Sequence, residues 1–151
     1  MRIAVVACGL VGCAYQPGSF AYQEHTFPGQ RATIGCLDVS VERSEMPLGP
    51  VIRYQFANRC DHATTVDLGA AVVVGRDDQG GEVKLRPFDP RSELHPVTLD
   101  GRNAGAESLA YPSARTLSQV CVDLSSLIHE RSPQWRCLSA AAAAAVVGST
   151  P

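Results

Sequence analysis

Six cysteines are the residues in this sequence best suited to chemistry: Cys8, Cys13, Cys36, Cys60, Cys121 and Cys137. A cysteine can hold a metal, act as a nucleophile, form a disulfide or carry a lipid, and the cellular compartment selects among these. The last four are spaced by 24, 61 and 16 residues. Zinc sites usually bring cysteines in close pairs such as Cys-x-x-Cys, so this spacing favours disulfides over a zinc site or a reactive thiol.

The other residues that could do chemistry form no recognisable catalytic motif. The histidines are His25, His62, His95 and His129, with no His-Glu-x-x-His and no pair four residues apart. The chain contains no Gly-x-Ser-x-Gly elbow, although a triad assembled from distant residues stays open. Asp77, Asp78 and Glu82 lack the alternating acidic pattern of a calcium loop and predict a solvated hairpin tip. We therefore predict no catalytic residue, no bound metal and no cofactor.

The N-terminus decides the compartment, because it resembles an export signal. Arg2 is followed by an uncharged apolar stretch from Ile3 to Gly12, which is much shorter than the ~20 residues of a membrane-spanning helix. This predicts a signal peptide over residues 1–12. Two alternatives stay open: a misassigned start, and a buried first strand of a cytosolic protein over residues 3–6.

The apolar stretch ends in Leu10-Val11-Gly12-Cys13, which resembles the lipobox of bacterial lipoproteins. The resemblance implies a diacylglycerol thioether on Cys13, cleavage of the bond before it, and acylation of the new amine. Several acyl chains together give stable anchoring. The resemblance thus implies a protein held by lipid on the cell membrane or outer membrane, facing the periplasm or the exterior.

Length and charge place the remainder among ordinary globular proteins. The chain has 151 residues, 45% of them hydrophobic, and a formal net charge of -2. This size fits one domain, and the charge argues against nucleic acid as a partner. We expect a tether over residues 13–31, a domain over residues 32–138 and a flexible alanine-rich tail over residues 139–151.

Short alternating segments predict a mainly β domain. Hydrophobic and polar residues alternate over residues 37–42, 52–57 and 117–124, which is typical of half-buried strands. The continuous apolar run over residues 70–74 predicts a strand buried on both faces, and residues 65–66, 82–85 and 97–99 predict further strands. Ser125 or Ser126 is expected to cap a short helical turn near residues 125–130.

Frequent turns between about seven short strands favour an antiparallel β-sandwich. The segment Tyr54-Gln55-Phe56-Ala57-Asn58 resembles the second strand of immunoglobulin-like domains in secreted bacterial proteins. The resemblance implies an immunoglobulin-like domain used for adhesion, spacing or ligand binding. The antibody-type pattern of two cysteines bracketing a tryptophan is not met, because Trp135 lies after Cys121 and only Cys137 follows it, two residues later.

Hairpin geometry favours one of the three disulfide pairings. Cys36 and Cys60 are equidistant from a turn centred near residue 48, which favours Cys36–Cys60 with Cys121–Cys137. If the odd-numbered residues of the first strand and the even-numbered residues of the second share the buried face, the residue numbers of each opposed pair add to an odd number. The numbers of Cys36 and Cys60 add to an even number. A β-bulge would reconcile the two.

One candidate binding surface comes from the residues around the single tryptophan. Arg131 and Arg136 flank Trp135, which suits cation–π contact or stacking on a saccharide. The plainer interpretation is a tryptophan that covers the edge of the sandwich beside a disulfide.

These observations favour a non-enzymatic, lipid-anchored binding or structural module whose partner is an envelope or extracellular protein or glycan. An inhibitor or immunity-type lipoprotein with one tight protein partner is the first alternative. A small exported hydrolase is the second.

Overall fold

The computed structural model describes residues 29–89 and 94–140, which form a mainly β structure. The strands of this part are β1 Gln30–Ile34, β2 Leu37–Met46, β3 Gly49–Asn58, β4 Thr64–Val66, β5 Val72–Arg76, β6 Glu82–Leu85, β7 Val97–Leu99, β8 Ala104–Ala110, β9 Gln119–Asp123 and β10 Trp135–Ser139. Two 3-10 helices span Leu68–Ala70 and Leu124–Ile128. The signal peptide, Cys13, most of the tether and most of the alanine-rich tail lie outside the described residues.

Two four-stranded antiparallel sheets form the sandwich that the sequence predicts. One sheet has the order β1-β2-β3-β8 and the other β10-β9-β5-β6, while β4 and β7 form a separate pair. With β2, β3 and β8 as strands A, B and E, the second sheet follows the order G, F, C, C′ of immunoglobulin domains. The predicted fold class, a mainly β antiparallel sandwich, is confirmed.

Alternating side chains from both sheets meet in one core. Val39 and Val41 of β2, Val73 of β5 and Val122 of β9 are fully buried. Burial of an aliphatic side chain of this size contributes roughly 1.5–3 kcal/mol. The core therefore joins the two sheets face to face, as the period-two pattern of the sequence requires.

The β2–β3 hairpin keeps the odd register without a bulge. Its ladder runs unbroken from the pair Leu37–Asn58 to the pair Met46–Gly49. The predicted bulge is wrong, because Cys36 and Cys60 both lie beyond the end of the ladder. There the Arg59 N–H donates to the Cys36 carbonyl oxygen at 2.8 Å, and Cys60 follows one residue later.

Strands predicted to be half-buried are in part buried on both faces. In β2 the Asp38 side chain accepts a hydrogen bond from the Thr33 hydroxyl and pairs with Arg59. In β9 the outward residues Cys121 and Asp123 are also buried. The alternation along a strand predicts which of its faces is polar. It does not show whether side chains from distant parts of the chain cover that face.

The apolar run over residues 70–74 is not a strand buried on both faces. Leu68–Ala70 forms a 3-10 helix, in which the Asp67 carboxylate accepts a hydrogen bond from the Ala70 N–H at 3.2 Å. β5 begins only at Val72, and Val73 is its fully buried valine. The Asp67 cap therefore delays the start of the strand.

Three strands were not predicted from the sequence. β1 begins at Gln30, inside the segment expected to be tether, and β10 extends one residue past the expected end of the domain. β8 lies where a loop was expected up to Gly105, because its small residues show no alternation. Pairing with β2, β9 and β3 respectively forms these strands.

The predicted helical turn is present with a different cap. The 3-10 helix Leu124–Ile128 begins after Asp123, whose carboxylate accepts hydrogen bonds from the Ser125 N–H at 3.1 Å and the Ser125 hydroxyl at 2.7 Å. The prediction of Ser125 or Ser126 as the cap was wrong. A carboxylate can accept several donors at once, which suits it to this position.

Candidate functional site

The four late cysteines form the two favoured disulfides. Cys36–Cys60 joins the β1–β2 turn to the loop after β3, with a Cα–Cα distance of 5.5 Å. Cys121–Cys137 joins directly opposed residues of β9 and β10. The predicted pairing is confirmed.

One disulfide lies beside a histidine that could complete a metal site. The sulfur atoms of Cys36 and Cys60 and a ring nitrogen of His62 lie within 4.8 Å of one another. Metal binding by cysteine needs the thiolate, and both sulfurs are bonded to each other here. In this oxidised form the cluster offers a metal one imidazole only.

The side chains of His62 and His129 each face a carboxylate. His62 Nδ1 lies 3.2 Å from Asp61 Oδ1, and both side chains are largely exposed. The hydrogen bond with His62 is the main cause that lowers the pKa of Asp61. His129 Nε2 lies 3.6 Å from the carboxylate of Asp67. Both contacts lie at the ends of loops.

The predicted tryptophan surface is only partly assembled. Trp135 begins β10 and is 43% exposed. The Arg136 guanidinium donates to the Arg31 carbonyl oxygen at 2.9 Å and to the Trp135 carbonyl oxygen at 2.9 Å, which ties β10 to β1. The Arg136 side chain thus stabilises the packing of β10 against β1. Arg131 is exposed in the loop before β10.

A cleft lies between the segment after β6 and the loop after β8. Its volume is about 490 Å³, and we call it the Phe88 cleft. It is lined by Val83, Lys84, Leu85, Arg86, Pro87, Phe88, Asp89, Pro112, Ser113, Ala114 and Arg115. The Phe88 side chain is 55% exposed, an unusual exposure for an aromatic residue.

Cations outnumber carboxylates around the Phe88 cleft. Lys84, Arg86 and Arg115 line it together with one carboxylate, that of Asp89. Arg115 is partly neutralised by Asp77, at 3.3 Å. The Asp89 carboxylate accepts a hydrogen bond from the Leu94 N–H at 3.2 Å. The cleft therefore combines an exposed aromatic ring with two cations, Lys84 and Arg86, that form no ion pair with any residue the structure describes.

Sequence reasoning missed this cleft because its two walls are far apart in the chain. The only local signal is the phenylalanine between Pro87 and Asp89 in a segment expected to be an irregular crossing. The Phe88 N–H donates to the Ala110 carbonyl oxygen at 2.7 Å, and this long-range bond brings the walls together.

Comparison with known proteins identifies a related fold and no family. No protein-family model and no curated protein matches the sequence. Among solved structures, the yjhA protein from Bacillus subtilis aligns with a TM-score of 0.51 and 12% identity, over 75% of this chain and 97% of that one. A DUF1425 family member from Shewanella sp. pv-4 aligns with a TM-score of 0.33 and 14% identity, over 57% and 89% of the two chains. In the described ranges, no helix has the length and hydrophobicity to cross a bilayer. What the comparisons establish is that this chain shares the fold of a small β domain.

Proposed function

We propose that this protein is a lipid-anchored, non-enzymatic binding module of the bacterial envelope. Lipid on Cys13 holds it on the cell membrane or the outer membrane, with the sandwich facing the periplasm or the exterior. Its partner is an envelope or extracellular protein or glycan, and nucleic acid is not a ligand.

The two disulfides are the observation that carries the proposal. Cys36–Cys60 and Cys121–Cys137 pair all four cysteines that follow the lipobox. Structural disulfides form and persist in secreted and periplasmic proteins and are rare in the cytosol. Paired cysteines downstream and a lipobox cysteine upstream therefore favour the same compartment.

Exposed aromatic residues support binding over catalysis. Phe88 and Trp135 are 55% and 43% exposed. Aromatic and arginine side chains are enriched in protein interfaces, and both aromatics have arginines nearby in sequence. In contrast, a ring nitrogen of His62 and one of His129 face carboxylates, in contacts at loop ends.

Palmitate labelling tests the anchor. The full chain is expressed in a bacterial host with labelled palmitate, as the wild type, as Cys13→Ser and as the control Cys8→Ser. We expect label and membrane fractionation for the wild type and Cys8→Ser, and neither for Cys13→Ser. A wild-type protein that stays unlabelled in the cytosol with free thiols would overturn the proposal.

A further inference from the structure

The β6 strand has an open edge beside the Phe88 cleft. β6 lies at the end of the second sheet, where it pairs with β5 and, in the described part of the chain, with no other strand. The free edge of a strand presents N–H and C=O groups that an extended peptide can pair with.

Two cations of this segment are spaced so that their side chains lie on the same face of the strand. Lys84 lies in β6 and Arg86 directly follows its last residue, so the two are separated by two positions. Glu82 lies two positions before Lys84, and its carboxylate pairs with the Arg76 guanidinium at 2.8 Å. Lys84 and Arg86 form no ion pair within residues 29–89 and 94–140.

Part of the lining of the cleft is apolar. Phe88 is held by its backbone bond to Ala110, while its ring stays exposed. Pro112 and Ala114 line the opposite wall. The exposed ring and the apolar wall therefore offer a surface on which an apolar side chain can pack.

We propose that the β6 edge and the Phe88 cleft bind an extended acidic segment of a partner protein by strand addition. Carboxylates at alternate positions of the segment face Lys84 and Arg86, and an apolar side chain packs on Phe88. This inference rests on the proposed function as a binding module and names its ligand class.

Charge and hydrogen bonding select this occupant. A short edge strand that carries a lysine disfavours pairing with another basic edge, including β6 of a second copy. An acidic glycan would satisfy Lys84 and Arg86 but could not continue the ladder of β6. A peptide with alternating carboxylates satisfies both the cations and the free backbone groups.

Fluorescence anisotropy of a labelled peptide tests the proposal with the purified full chain. The probe is the fluorescein-labelled octapeptide Glu-Val-Glu-Thr-Glu-Val-Glu-Thr, compared with the same peptide carrying lysine for glutamate. We expect saturable binding of the acidic peptide that weakens with added salt. The double variant Lys84→Gln, Arg86→Gln should raise its Kd about fivefold, because each exposed ion pair contributes little. Phe88→Ala should raise the Kd about tenfold, as loss of an aromatic anchor does.

A charge-matched control separates the cleft from general electrostatics. The double variant Arg53→Gln, Arg102→Gln removes the same charge from exposed positions outside the cleft and should leave the Kd unchanged. Equal binding of the lysine peptide, equal loss in the control variant, or competition by oligogalacturonate at least as strong as by unlabelled peptide would overturn the inference.

The two tests fail independently. The anisotropy measurement reads the cleft of the purified protein, while palmitate labelling reads Cys13. Normal labelling without peptide binding would reject the cleft ligand alone. Peptide binding by an unlabelled cytosolic protein would reject the anchor alone.

Discussion

Tyr54 and Tyr111 place two phenol groups together inside the core. Their hydroxyl oxygens are 2.6 Å apart, and both side chains are fully buried. Burial raises the pKa of Tyr111 to about 12, and burial together with the neighbouring Tyr111 raises the pKa of Tyr54 well above its usual value. The folded state therefore holds both protons more tightly than the unfolded state.

This pair makes stability depend on pH in the alkaline range. A group whose pKa is raised in the folded state stabilises the fold fully at a pH below its unfolded pKa near 10. This stabilisation is lost as the pH rises from there toward about 12. Tyr111→Phe should lower the free energy of unfolding at pH 7 by about 1–3 kcal/mol, because Tyr54 loses its partner. The variant should also lose less stability between pH 10 and pH 12 than the wild type, measured by urea midpoints. Parallel alkaline profiles for the two proteins would contradict this account.

At the scale of the elements, Arg43 links β2 to parts of the second sheet. Its side chain is only 3% exposed. The guanidinium donates to the carbonyl oxygens of Leu117 at 2.7 Å and Leu138 at 3.2 Å, and to the Glu45 carboxylate. One side chain thus connects strands β2 and β10 and the segment that leads into β9.

Replacement of Arg43 should show how much this link stabilises the sandwich. Arg43→Met should cost about 2–3 kcal/mol in urea unfolding, because two carbonyl groups lose a charged donor. Arg43→Lys should recover less than half, since an ammonium group cannot reproduce the planar fork of a guanidinium. The control Glu45→Gln touches only the exposed partner and should cost below about 0.5 kcal/mol. A lysine variant as stable as the wild type would refute the role of the fork.

At the scale of the whole molecule, two disulfides restrain a small core. Cys36–Cys60 closes a separation of 24 residues at one end of the first sheet, and Cys121–Cys137 closes 16 residues within the second. Each sheet therefore carries one covalent link. Such links stabilise chiefly by limiting the unfolded chain, and the longer loop gains slightly more.

Removal of each disulfide should cost a similar amount of stability. The double variants Cys36→Ala, Cys60→Ala and Cys121→Ala, Cys137→Ala should each lower the free energy of unfolding by about 3 kcal/mol. Urea unfolding monitored by Trp135 fluorescence measures both. If either variant keeps the wild-type midpoint, that disulfide does not stabilise the fold, and the argument from chain entropy fails for it.

The sequence by itself determined the fold class, the strands with clear alternation and the favoured disulfide pairing. These follow from local rules: a period of two marks the faces of β2 and β3, and the parity of Val39 and Tyr54 sets their odd register. The solvated positions of Asp61 and His62 also followed from their turn. Such features depend on residues close together in the chain.

Only the tertiary structure decided which strands complete the sheets and where the cleft lies. β1, β8 and β10 form because neighbouring strands offer unpaired edges, and this pairing leaves no periodic mark in short segments of small or mixed residues. The Phe88 cleft likewise depends on the contact between Phe88 and Ala110, 22 residues apart in sequence. Local patterns show what each segment can pair with, whereas the competition among long-range contacts decides which pairs form.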